Sequence, residues 1–192
     1  GHQTGLIGTI AYYFKDQEVA AWNTTPEAID IARMIHDMVR SGHDTCVLEV
    51  SSHALALKRV DSFPFKVGVF TNLSHDHLDF HKNIESYFQS KLKLFDLLAA
   101  KGRAVVNLDD PYAERILERL KCPVFTFGFS EDTDVRALDW TMSAKGTRLN
   151  VRTSRGEMQI QSCLISLFNI QNVIAAVATG IALGLENQVI VR

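Results

Sequence analysis

The chain has 192 residues, 46% of them hydrophobic, which suits one domain or a little more with a sizeable core. Its formal net charge of -2 projects no strong field toward a polyanion, so nucleic acid is disfavoured as a partner. No apolar run nears the about 18 residues of a membrane span and no leader pattern is visible, so a cytoplasmic protein without membrane association is expected. Cys46, Cys122 and Cys163 are far apart and outside any CxxC spacing, which predicts a reducing compartment with all three as small core residues.

In chain order, Leu6–Tyr13 (LIGTIAYY) reads as a strand. No phosphate-binding turn precedes it, so the chain is expected to be a segment of a larger protein, cut inside its first unit. NTTP at 23–26 reads as a helix start, with Thr25 able to cap and Pro26 at the first helical position. Ala28, Ile31, Ala32, Ile35, Met38 and Val39 then follow the spacing of one apolar helix face, and Gly42 ends it. Two short apolar runs come next, Thr45–Val50 and Phe65–Leu73, both expected as buried strands. Segment 52–64 between them is a connection with room for a short helix.

A helix is predicted over 83–99, with Ile84, Tyr87, Phe88, Phe95 and Leu98 on its apolar face. At roughly 100° per residue Lys91 falls in the middle of that face and Lys93 opposite it. Arg103–Asn107 reads as a strand, Pro111–Leu120 as a helix and Pro123–Gly128 as a strand. Three antiparallel strands are expected near 134–143, 147–153 and 157–164, with Gly146 and Gly156 at the turns. A last helix, about 169–183, is apolar nearly all round and so buried, and Gly184 stops it. The fold class is therefore α/β: a mostly parallel sheet flanked by helices, with a late antiparallel β meander.

Chemistry concentrates where the two apolar runs end, the side of an open parallel sheet on which ligands collect. Glu49 closes the first run beside Ser51, Ser52 and His53. An acid in a buried run needs a partner or a metal; pointing outward from a surface strand, it needs neither. The second run leads into His75, Asp76, His77, Asp79 and His81, a density of imidazole and carboxylate that suits Mg²⁺ or Mn²⁺ with phosphate. Lys91, if buried, is pushed toward its neutral amine, which can take up CO₂ to form an anionic carbamate; as an edge lysine its stem packs and its head reaches water. Thr24 and Thr25 can be simple caps, as can Asn169 and Asn172 at the start of the last helix. Arg59 can make a surface ion pair or grip a carboxylate or phosphate in bidentate fashion. No GxxxxGK[ST] phosphate loop is present.

Taken in order, NTTPE, EVSSHALALKRV, VFTNLSHDHLDFH, YFQSKLKLF, NLDDPY and FNIQN resemble the central, ATP-binding domain of the Mur ligases, nearest the MurE group. The resemblance covers essentially the whole chain, residues 1–192. It implies an ATP-dependent ligase of peptidoglycan synthesis that adds an amino acid, L-lysine or meso-diaminopimelate, to UDP-N-acetylmuramoyl-L-alanyl-D-glutamate through an acyl phosphate. By the same resemblance Glu49 and His77 bind Mg²⁺ (or Mn²⁺), and Lys91 is the carbamylated lysine, catalytic together with His77. Thr24, Thr25, Ser51 and Arg59 hold the UDP-muramoyl-dipeptide, and Asn172, with Asn169 nearby, meets the adenine of ATP. His75, Asp76, Asp79 and His81 shape the loop. Leu57 stands where some members carry Gln, so one substrate contact is missing or replaced.

The family's ATP loop is expected upstream of residue 1, and its N-terminal uridine-binding and C-terminal amino-acid-binding domains lie outside the chain. The chain alone, expected as a monomer, should not turn over. A folylpolyglutamate synthase-like or other amide ligase of the superfamily is the nearest alternative. A binding module that kept the fold and lost the chemistry, and a hydrolase built on a carbamylated lysine, are further ones.

Overall fold

The computed structural model describes residues 2–14 and 17–191. They divide into two compact units, one of residues 2–14, 17–64 and 76–97, the other of 65–75 and 98–191. The class is mixed α/β, with parallel pairing in both units and antiparallel strands added to each.

The first unit holds strands β1 (Thr4–Ile7), β2 (Ala11–Phe14), β3 (Gln17–Ala20) and β4 (Thr45–Leu48). They form a four-stranded sheet in the order β3-β2-β1-β4, and only β1 and β4 run parallel. Helices α1 (Ala28–Arg40), α2 (Ser52–Ala56), α3 (Leu78–His81) and α4 (Ile84–Asp96) complete it. Three expectations are corrected here. The stretch Leu6–Tyr13 is not one strand but β1 and β2, antiparallel about a turn at Gly8–Ile10. The run from Thr45 is not a buried strand: β4 lies at the sheet edge, Cys46 and Val47 are exposed, and pairing stops at Leu48. One neighbour instead of two leaves that strand's flank open to water. Nor does Thr25 cap α1, whose N-cap is Glu27 without a side-chain bond. The buried face of α1 is Ile31, Met34 and Met38, while Val39 is 65% exposed.

The second unit holds β5 (Phe65–Phe70), β6 (Leu98–Asn107), β7 (Val124–Gly128), β8 (Val135–Ser143), β9 (Gly146–Thr153) and β10 (Gly156–Ser162), hydrogen-bonded in the order β10-β9-β8-β7-β6-β5. Strands β5 to β8 run parallel and β8 to β10 form the expected meander. Gly146 and Gly156 open its last two strands at φ of 118° and 99°, backbone that a side chain would strain. Helices α5 (Ala113–Leu117), α6 (Leu167–Leu183) and α7 (Asn187–Ile190) belong to this unit. Its core joins Val105, Phe127, Leu149 and Val151 of the sheet to Ile170, Ile174 and Ala178 of α6. Helix α6 is buried along most of its length, as its composition predicts, but Leu167 and Phe168 at its start are exposed. Its N-cap is Ser166, whose hydroxyl accepts from Asn169 N, so the two asparagines are not the caps.

Among the described residues no helix is long and apolar enough to cross a membrane. The cysteines are not core residues: Cys46 and Cys163 are exposed and Cys122 is half-buried.

Candidate functional site

In the first unit Glu49 lies one residue past β4, and its backbone N–H still donates to Ile7 O at 2.8 Å. Its side chain is exposed but held, since Oε2 accepts from both N and Oγ1 of Thr9 at 2.9 Å. A Cβ on Gly8 would come within 3.2 Å of that oxygen, so glycine keeps the carboxylate uncrowded. Thr9 Oγ1 also lies 3.0 Å from Thr24 Oγ1.

Thr25, 1% exposed, ties the next links together. Its hydroxyl donates to Glu49 O at 2.8 Å and accepts from Ser51 N at 2.9 Å. Ser51 in turn caps α2 by accepting from Ala54 N. Arg59 Nη1 donates to Thr25 O at 3.0 Å, and Nη2 pairs with Glu27 at 2.6 Å. Its Nε is buried without a hydrogen-bond partner, a donor the fold leaves unspent. Five residues anticipated from sequence, Thr24, Thr25, Glu49, Ser51 and Arg59, thus belong to one hydrogen-bonded network.

The other anticipated pair meets at Tyr87. Lys91 is half-buried on α4, with Nζ 5.1 Å from the Tyr87 ring centroid; Lys93 is exposed, as helical spacing requires. The His77 ring packs edge-on to the same tyrosine at 5.8 Å and to His53 at 5.1 Å. His77 sits at φ 57°, left-handed backbone that costs a non-glycine residue about 1–3 kcal/mol. Asp76 Oδ1 accepts from its backbone N–H at 2.7 Å.

His81 lies buried within this loop. It is 5% exposed, its Nε2 lies 2.8 Å from Ser52 Oγ, and its ring stacks on Tyr87 at 5.0 Å. Burial lowers its pKa below the usual histidine range, helped by the neighbouring His53 and His77, so the neutral imidazole is favoured. Burial likewise raises the pKa of the Tyr87 phenol, and Asp76 adds to it. Among the described residues no group of three or more His, Cys, Asp and Glu side chains could hold a metal ion. A site built on Glu49 and His77 therefore needs a third donor of another kind.

In the second unit Asn169 and Asn172 meet: Asn172 Nδ2 donates to Asn169 Oδ1 at 3.3 Å. Asn172 lines a cavity of about 100 Å³ with Thr71, Asn72, Phe127, Phe168 and Gln171. The loop after β5 is pinned there by the NLDDPY stretch: Asn107 Nδ2 donates to Thr71 O at 2.7 Å, and the buried Asp110 accepts from Leu73 N at 2.7 Å.

The family model of the Mur ligase middle domain matches residues 1–180. The chain belongs to that family. This Mur ligase domain is 46% identical over 192 residues to the UDP-N-acetylmuramoyl-L-alanyl-D-glutamate--2,6-diaminopimelate ligase of Geobacter metallireducens, an alignment covering 97% of the chain and 38% of that protein. It superposes on a solved structure of a ligase of the same name with a TM-score of 0.88 at 27% identity, covering 99% of the chain and 39% of that one. The MurF ligase from Thermotoga maritima in complex with ADP shares the fold alone, with a TM-score of 0.64 at 21% identity over 76% of the chain and 34% of its own. The domain thus spans about two fifths of the length of the curated relatives it matches.

Thr9, Tyr87 and Gln171 were not singled out from sequence. Thr9 lies 40 residues from the carboxylate it holds, and nothing local marks such a pair. Tyr87 was read only as part of an apolar face. Gln171 stands inside FNIQN itself, and its neighbours drew the attention.

Proposed function

We propose that this Mur ligase domain is the ATP-using centre of a larger cytoplasmic ligase, acting as a monomer, that joins 2,6-diaminopimelate to UDP-N-acetylmuramoyl-L-alanyl-D-glutamate. The observation that carries the reading is the network in which Thr9 joins Thr24 to Glu49, and Thr25 joins Glu49, Ser51 and the guanidinium of Arg59. The exposed part of the Arg59 guanidinium suits an anionic substrate group, here the carboxylate or phosphate of the muramoyl dipeptide. Thr24, Thr25 and Ser51 line the same network with hydroxyls. The amino acid follows from the relatives, which are named as diaminopimelate ligases.

Glu49 and His77 carry donor types that a magnesium ion takes beside phosphate, and would be two of its ligands. Glu49 has Oε2 fixed by Thr9 and Oε1 outside that pair of bonds, and His77 Nε2 lies 3.7 Å from Asp76, too far for a hydrogen bond. Lys91 as its carbamate supplies the third, anionic donor. Bound there, Mg²⁺ or Mn²⁺ would neutralise phosphate charge as it develops in transfer. The chain's own residues then position the reactants. Arg59 and the hydroxyls hold the dipeptide so that its terminal carboxylate attacks the γ-phosphorus, releasing ADP and forming an acyl phosphate. The amine of diaminopimelate attacks that carbonyl, the C–N bond forms, and inorganic phosphate leaves. Asn172, with Asn169 beside it, meets the adenine.

The test is the intact ligase supplied with ATP, Mg²⁺, the UDP-muramoyl dipeptide and diaminopimelate. The expected outcome is one ADP and one phosphate per amide bond, with L-lysine used poorly and no turnover by the 192-residue chain alone. ATP hydrolysis with no amide product would overturn the reading.

A further inference from the structure

We propose that Gln171, oriented by Asp109, is a specificity-determining residue that makes the cavity beside α6 select a purine with an amino group at position 6. The inference rests on the reading of that cavity as the site of the nucleotide base. It goes further by assigning which hydrogen-bonding face the protein turns toward the base.

An ionised carboxylate accepts and never donates, so a side-chain amide beside one must turn its NH₂ toward it. Gln171 Nε2 lies 3.3 Å from Asp109 Oδ2. Asp109 is itself fixed, because Phe129 N donates to both of its oxygens at 3.1 Å. The choice between amide oxygen and nitrogen, ordinarily ambiguous, is therefore forced: one Gln171 N–H is spent on Asp109, and the carbonyl oxygen and the second N–H are left for a ligand in fixed places. Asn172 repeats the logic through one relay. Ile165 O, an acceptor only, takes Asn169 Nδ2 at 3.1 Å, which turns Asn169 Oδ1 to receive Asn172 Nδ2 at 3.3 Å. That orientation leaves the Asn172 carbonyl oxygen for a ligand as well.

Both residues line the same cavity, together with the exposed Phe168 ring, which can cover an aromatic face. A carbonyl oxygen whose amide cannot turn over welcomes a donor at its own place and opposes an acceptor there, whatever the remaining N–H meets beside it. Adenine offers an amino donor at position 6, whereas guanine and hypoxanthine offer a carbonyl there. Gln171 would touch the base directly; Asp109 is a positioning residue that acts through Gln171.

The experiment compares ATP with ITP, which differ at position 6 of the base, as substrates of the intact ligase. The readout is the ratio of their kcat/KM values, which does not depend on the fraction of folded enzyme. Wild type is expected to prefer ATP. Gln171→Leu should shrink that preference about tenfold, mainly through ATP, the scale of one lost hydrogen bond to an otherwise unsatisfied group. Asp109→Asn, free to donate as well as accept, should let Gln171 turn over and raise the use of ITP in absolute terms. No preference in wild type, or a preference unchanged in both variants while ligation proceeds, would overturn the inference and leave the ligase reading standing. No nucleotide-dependent ligation by wild type would overturn both.

Discussion

The two units spend their interiors differently. In the second, the strands β5–β10 and helix α6 enclose a largely aliphatic core, and the buried Asn107, Asp110, Thr133, Thr147 and Thr153 each bond a backbone group of a loop or strand end. In the first, Thr25, Ser52, His81 and Ser90 are buried, and each is tied to another polar group. A buried polar group returns little net stability but fixes a geometry, because leaving it unpaired costs about 1–3 kcal/mol. The difference is that the buried polar groups of the second unit pin loops to its sheet, whereas Thr25 of the first joins residues of the candidate site.

Substitutions should divide along that line. The largest expected effect is on turnover: Glu49→Gln in the intact ligase should lower kcat by about 10³-fold, the scale of a lost electrostatic contact in the transition state. Because Glu49 is exposed, its thermal midpoint should stay within a degree or two of wild type, seen by calorimetry. Ile174→Ala should do the reverse in the second unit, removing about 2–5 kcal/mol of stability by cavity formation, measured by urea unfolding, while the surviving folded enzyme stays active. Thr25→Val lies between. It strips the hydroxyl that joins Glu49 O to Ser51 N, and should cost about 1–3 kcal/mol and raise the KM for the muramoyl substrate.

The smallest effect is on pH dependence. His81 has a lowered folded-state pKa, so between that value and the ordinary one near 6.5 the unfolded chain binds more protons than the folded one. Stability should be complete above about pH 6.5 and fall as the pH drops below it. His81→Gln should flatten that fall in a series of thermal melts. An equally steep fall in the variant would assign it to groups other than His81.

What was legible in the sequence was what local chemistry decides. The meander was readable because alternation along β8–β10 and two glycines at positive φ are properties of a few neighbouring residues. Helix α4 followed from periodicity in the same way, but it stops at Asp96, and Leu98, expected on its apolar face, opens β6 instead. The hairpin within Leu6–Tyr13 was missed because Ile10, an apolar residue, occupies its turn at 89% exposure and hides the break. The openness of β4 was missed because burial of a strand depends on its neighbours in the sheet, which its own residues do not name. In the site, motif resemblance supplied Thr24, Thr25, Ser51 and Arg59, and the structure joined them. Thr9 with Glu49 and Asp109 with Gln171 are partners 40 and 62 residues apart, and only folding brings such pairs together.

The account's central claim is that Glu49 of the threonine network and His77 of the tyrosine cluster hold one magnesium ion. A double-mutant cycle in the intact ligase, with Glu49→Gln, His77→Ala and the pair, tests it most directly. If both side chains serve the same ion, each single variant loses about 10³-fold in kcat and the double variant loses little more than the worse single. Losses that multiply, giving about 10⁶-fold in the double variant, would mean that the two residues act independently, and the claim would fall.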